Sequence, residues 1–125
     1  MQIMIASPRR DALQNFIESL ANEPDIDVSL VNSAEDALAF LRTEAPELVV
    51  IDEALPDMKP LELATALVQA NAMINTAVIT SLSGKEFHEQ SEGLGVLCGV
   101  ASPPGRDEAL AVVAKLRSLY PARRS

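Results

Sequence analysis

Tryptophan is absent from this 125-residue chain, aromatics make up 3% of it, and it holds one cysteine and one histidine. With so few aromatics, a core must be built from Leu, Ile, Val and Ala. The 48% hydrophobic content is enough for one domain without covalent staples. The single cysteine, Cys98 in Val96-Leu97-Cys98, excludes an internal disulfide framework and suits a reducing compartment. Its apolar neighbours make it read as a small buried hydrophobe. His88 stands in the most polar stretch without a second His or Cys, so it reads as a solvated side chain rather than a metal ligand. No stretch approaches the roughly 18 apolar residues that a membrane span requires. No basic region precedes Ile3-Met4-Ile5, so a secretory signal is not expected and a cytoplasmic location is. A net charge of −8 opposes non-specific binding to nucleic acid. The terminal basic cluster, Arg123-Arg124, falls in a short tail, 121–125, that reads as a terminus or the start of a linker after a domain spanning 1–120.

What is present is an alternation of apolar runs and helical stripes. Ile3-Met4-Ile5 reads as a strand. Pro8 suits the first turn of a helix, and Leu13, Phe16, Ile17 and Leu20 then recur at helical spacing as far as Pro24. Val28-Ser29-Leu30 alternates as an edge strand does. Ser33 is a good N-cap, with Asp36 as an acidic variant of the capping box, before the stripe Ala34, Ala37, Leu38 and Leu41. After Pro46, Leu48 to Ile51 make a third strand. Leu63, Ala64, Leu67, Val68 and Ala70 make a third helix, and Ala77-Val78-Ile79 a fourth strand. The segment GKEFHEQSEG, 84–93, has Phe87 as its one large apolar residue and only weak helical character, so a short or mobile element is expected there. Val96 to Ala101 read as a fifth strand. Pro103-Pro104-Gly105 interrupts the chain before a last helix carrying Ala109, Val112, Val113, Leu116 and Tyr120.

This order predicts an α/β fold of (βα)5 type: a doubly wound, five-stranded parallel sheet of order 2-1-3-4-5, flavodoxin-like, with helices on both faces. The ends of the first and third strands then meet at the switch point where ligands gather in such sheets. Asp52 ends the third strand, so it faces Ala6-Ser7-Pro8-Arg9 across the crevice. Glu53 and Asp57 flank it, but neighbours on a strand end point apart, and an Asp after Pro56 is favoured by the turn itself. Ser83-Gly84-Lys85 is too short for a phosphate-binding loop.

The segment PELVVIDEALPDMKPLEL, 46–63, resembles the receiver domain of bacterial two-component response regulators. In that family an apolar strand ends in Asp, followed by two residues, a hydrophobe, Pro and commonly Asp-Met. The resemblance spans nearly the whole chain: Gly95 and 96–101 match the family's last strand, and Ser102-Pro103 falls where Lys-Pro is usual. It implies a receiver-like fold with Asp52 at the phosphoacceptor position. The rest of the family's site is degraded. No acid lies between Gln2 and Arg10, where receivers carry two that hold Mg2+ with the phosphoacceptor. The lysine is Ser102, the switch aromatic is Gly99, and the glycine after the loop is Pro60. The hydroxyl residue after the fourth strand matches Leu82 by spacing, with Ser81 and Ser83 beside it.

Phosphoryl transfer rests on positioning and charge neutralisation. One carboxylate on an ordinary loop holds Mg2+ poorly. The expected protein is therefore a pseudo-receiver: a protein–protein interaction module of two-component signalling, independent of phosphorylation, without enzymatic activity and without a cofactor. The candidate pocket residues around Asp52 are Ser7, Arg9, Ser81, Ser102 and Pro103. A guanidinium, from Arg9 before Arg10, could take the place of the cation; the competing reading, favoured because most surface arginines have no specific partner, leaves both on the exposed first turn of the helix. The alternative is a working phosphoacceptor in a phosphorelay, with Mg2+. A weaker one is a small flavodoxin-like enzyme or ligand-binding domain. Partners are expected to be a histidine kinase or downstream effector, met by the face of the fourth helix, fifth strand and fifth helix. A homodimer is open, and neither nucleic acid nor membrane is expected.

Overall fold

The computed structural model describes residues 1–120, so the expected tail 121–125 lies outside the described residues. Ten elements alternate: β1 (Gln2–Ala6), α1 (Gln14–Ala21), β2 (Asp27–Val31), α2 (Ala34–Phe40), β3 (Leu48–Asp52), α3 (Pro60–Ala70), β4 (Asn75–Thr80), α4 (Gly84–Ser91), β5 (Val96–Ala101) and α5 (Arg106–Ser118). The five strands form one parallel sheet of order β2-β1-β3-β4-β5. Every residue of β3 is buried, as the central strand of a sheet covered on both faces must be.

The pleat divides the apolar side chains between two cores. Ile3, Ile5, Leu48 and Val50 pack with Phe16 and Leu20 of α1 and Val112, Val113 and Leu116 of α5. Met4, Val49 and Ile51 pack with Ala34 and Ala37 of α2, Leu63 and Leu67 of α3, and Phe87 of α4. Burying each large aliphatic side chain contributes about 1.5–3 kcal/mol, so these stripes hold the helices on the sheet. At the far end from Asp52, Arg117 of α5 pairs with Glu23 at 2.9 Å and with Asp25, both just after α1.

Four local expectations are corrected or refined. Helix α1 begins at Gln14 and not at Pro8; residues 9–13 form a turn in which Leu13 N–H donates to Arg9 and Arg10 carbonyls, and Arg9 N–H donates to Ser7 Oγ at 2.9 Å. Segment 84–91 is a capped helix. Ser83 Oγ accepts from Glu86 N–H, and Glu86 reaches back to Ser83 N–H, which offsets the polar composition of α4. At α2, Ser33 Oγ accepts from Asp36 N–H at 3.0 Å, but the acid that completes this cap is Asp57, not Asp36. Cys98 is half-buried rather than fully buried, and burial pushes its thiol up against a smaller opposing pull from Lys115.

Candidate functional site

Asp52 is the last residue of β3 and is 0% exposed. Its neighbour β1 ends at Ala6, so the chain leaving β1 passes the carboxylate directly. Ser7, itself buried, donates its hydroxyl to Asp52 Oδ2 at 2.6 Å. Arg9 reaches back across the turn and grips the carboxylate in bidentate fashion, Nε to Oδ2 at 2.9 Å and Nη2 to Oδ1 at 2.6 Å. The backbone N–H of Ala54 donates to Oδ1 at 3.1 Å. Each oxygen thus accepts two hydrogen bonds, which fills the roughly four acceptor sites of a carboxylate.

The electrostatics follow from this arrangement. Burial pushes the Asp52 carboxyl up, but hydrogen bonds from Arg9, Ser7 and Ala54, with the charge of Arg9, outweigh it and hold the carboxyl below the usual range. The Arg9 guanidinium is raised in turn, chiefly by its hydrogen bonds to Asp52. The Arg9 side chain is 38% exposed, so the pair has a dry inner end and a wet outer end.

The neighbouring acids face elsewhere. Glu53 Oε1 accepts from Ser81 N–H and Oγ, each at 3.0 Å, while the charge of Glu53 adds a small upward push on Arg9. Asp57 accepts the N–H groups of Ala34 and Glu35 at 2.9 and 3.0 Å, capping α2 from the β3–α3 loop. Those bonds hold the Asp57 carboxyl below its ordinary range.

Of the residues expected around Asp52, the structure brings Ser7 and Arg9 onto it. Arg10 is exposed. Ser81 serves Glu53 instead. Ser102 donates its N–H to the Thr80 carbonyl at 3.1 Å and enters a cis peptide bond with the exposed Pro103; neither bonds to Asp52 among the described residues. His88 is exposed, and no three His, Cys, Asp or Glu side chains among the described residues are grouped to hold a metal ion.

The profile of the response regulator receiver domain matches residues 3–113. The chain belongs to the receiver-domain family. Solved receivers share its fold at low identity. The chemotaxis response regulator CheY4 of Vibrio cholerae aligns over 92% of this chain and 97% of its own, with 14% identity and a TM-score of 0.80. A CheY-like receiver domain protein of Methanospirillum hungatei aligns over 97% of both chains, with 21% identity and a TM-score of 0.82. The receiver domain of an HD domain-containing protein of Pseudomonas fluorescens aligns over 98% of this chain and 90% of its own, with 18% identity and a TM-score of 0.82. No curated protein sequence matches.

Two features of this receiver escaped the sequence. Thr80 is the last residue of β4 and is buried, while Ser81, Leu82 and Ser83 are exposed. Counting from Asp52 points to Leu82, but the strand register points to Thr80 as the hydroxyl at the end of β4, because loop lengths vary and strand ends do not. The Thr80 hydroxyl accepts the Leu82 N–H at 3.1 Å. The second feature is Phe87. A Cβ placed on Gly99 would stand 2.8 Å from its ring, so Phe87 of α4 fills the space that a side chain at Gly99 of β5 would need. No local pattern signals either residue.

Proposed function

We propose that this receiver works as a phosphorylation-independent interaction module, with Arg9 serving as a permanent internal cation on Asp52. The observation that carries this reading is the saturation of the Asp52 carboxylate by Ser7, Arg9 and Ala54 in a fully buried position. An oxygen that attacks phosphorus needs a free lone pair, and none is left without expelling one of these donors. The residues present do not fit Mg2+ either. That ion wants near-octahedral oxygen ligands, and the group gripping the one acid here is a guanidinium, which repels it. The module is a signalling part rather than an enzyme, it needs no cofactor, and its place is the cytoplasm. No described helix is long and apolar enough to cross a membrane.

Receivers meet kinases and effectors. For this one the contact face is that of α4, β5 and α5. What supports the choice is that α4 is held by Phe87 lying over Gly99, a contact that makes no reference to the state of Asp52. The position of α4 is therefore set by packing rather than by phosphate.

The test is exposure of the protein to acetyl phosphate, and separately to beryllofluoride, with Mg2+, read by intact mass and by amide spectra. No adduct on Asp52 is expected. A stable, Mg2+-dependent adduct would establish the second reading, a working phosphoacceptor. That reading draws on the ionised state of Asp52 and on the exposed outer end of Arg9, through which the pair could open.

A further inference from the structure

β5 is an edge strand, bonded to β4 alone. Among the described residues, no hydrogen bond outside that ladder reaches residues 96–101, so the outer backbone groups of the strand are open. Such an edge is a template for another strand. A groove of about 480 Å³ runs between α4 and β5, past Phe87, His88 and Gly99. A second, of about 540 Å³, runs between β5 and α5, past Gly99, Ala111 and Ala114. Gly99 and Ala101 are exposed and carry almost no side chain, so a foreign backbone can approach closely. The exposed Lys115 lines both grooves and makes no ion pair among the described residues, in a chain of net charge −8.

We propose that β5 binds an extended segment of a partner protein as an added strand along its outer edge. Alternate side chains of that segment enter the two grooves, and one of them is a carboxylate that pairs with Lys115. Strand addition divides its work this way: main-chain hydrogen bonds hold the segment, and pockets for alternate side chains select it. A second copy of this chain is a poorer occupant. Twofold pairing places the same patch on both sides of the seam, so two Lys115 and two negatively charged chains would face each other. The proposal rests on the reading of α4, β5 and α5 as the contact face and adds the partner's conformation and charge.

The experiment selects short linear peptides from a displayed random library against the intact protein. The enriched peptides are then measured by titration and hydrogen exchange. Enriched sequences should carry Asp or Glu and protect amides in 96–101. Binding should weaken about tenfold with Lys115→Glu and hardly change with Lys85→Glu, which lines neither groove. N-methylation of one alternating set of peptide amides should abolish binding, while methylation of the other set is tolerated. Peptides that protect α4 and α5 but ignore N-methylation would overturn strand addition and leave the contact face standing. Peptides protecting α1 and α2 would overturn both. A concentration-dependent dimer that protects β5 would replace the foreign segment with a second copy, and a library yielding no enriched binder would overturn the proposal.

Discussion

At the end of β3 every acceptor of Asp52 is taken, whereas along β5, two strands away, a row of backbone groups has no partner among the described residues. The first region is closed by charge-assisted hydrogen bonds across the switch point of the sheet; the second is bordered by two grooves and the exposed Lys115. In a receiver the two regions are expected to communicate through a hydroxyl and an aromatic. Here the position that the resemblance gives to the aromatic is Gly99, and Phe87 of α4 fills the space beside it. On the proposed reading the closed region contributes stability and the open one contact, with little linking them. Variants in each region test that division.

The largest effect should come from the closed region. Arg9→Ala leaves a buried carboxylate with Ser7 and Ala54 but no countercharge. Breaking a fully buried pair costs about 3–5 kcal/mol; with one partner 38% exposed, about 2–3 kcal/mol is expected at neutral pH, read by urea unfolding. The pH dependence has a definite sign. In the wild type the folded Asp52 carboxyl lies below its unfolded value, near 3.9, so its contribution is complete above that value and is lost as pH falls through the folded one. In Arg9→Ala burial is no longer outweighed by the guanidinium, and the carboxyl rises. The gap between the two proteins should therefore shrink on acidification. A gap that widens toward low pH, or a loss below about 0.5 kcal/mol at neutral pH, would mean that the pair does not close this region.

In the open region Phe87→Ala should cost about 3 kcal/mol, the lower range for a buried Phe, because α4 is short and peripheral. Hydrogen exchange should quicken through 84–91. Gly99→Tyr forces its Cβ within 2.8 Å of the ring and should cost about 1–3 kcal/mol. In the double variant the new aromatic has room, so the two losses should add to less than their sum. Strict additivity would show that Phe87 and Gly99 are not packed as a unit. Neither variant should alter the pH profile assigned to Asp52; a change there would show that the two regions are linked.

The fold was legible because its signals are periodic and local. Apolar runs at 3–5, 48–51 and 77–79, separated by stripes such as Leu63-Ala64-Leu67, admit few arrangements, and right-handed crossovers leave the order found here. Asp52 was legible because an acid ending a buried strand is unusual; the topology put the Arg9 loop opposite and made Arg9 a candidate, but whether it pairs or faces solvent was left to the structure. The remainder depends on distant partners. Asp57 caps a helix 23 positions earlier, which no spacing rule reveals. Thr80 was hidden by counting across a loop of variable length. Phe87 meets a residue defined by having no side chain. Helix α4 did carry a local signal, Ser83 with Glu86 three residues on, but its low hydrophobicity masked it.

The cap supplied by Asp57 gives a smaller effect, confined to one helix end. Asp57→Ala should speed amide exchange at Ala34 and Glu35 while leaving 84–101 unchanged. The Asp57 carboxyl lies below its ordinary range, so its contribution is present above the unfolded carboxylate pKa and fades as pH falls through the folded value. Exchange in the wild type should approach that of the variant in acid, once the intrinsic pH dependence of exchange is removed. Unchanged protection at Ala34 and Glu35 would show that Ser33 alone holds that end.

The smallest effect is expected to be a gain. Thr76 is fully buried in β4, and among the described residues its hydroxyl has no hydrogen-bond partner. It lies where the β4–β5 ladder shifts register between Thr76 and Ala77, opposite Val96. An unsatisfied buried hydroxyl loses its water bonds on folding and recovers nothing, a cost of about 1–3 kcal/mol. Valine has nearly the same shape and no such group, and its branched side chain suits a strand. Thr76→Val should therefore stabilise the protein by about 1 kcal/mol, part of the cost being lost to imperfect refilling of the site. The gain should appear as a higher urea midpoint at unchanged slope. It should be the same in an Arg9→Ala background, since a residue at the amino end of β4 and the cluster at the carboxyl end of β3 share no partner. A loss of stability would mean that the hydroxyl has a partner in solution. A gain that depends on Arg9 would mean that the closed and open regions are coupled through the sheet after all.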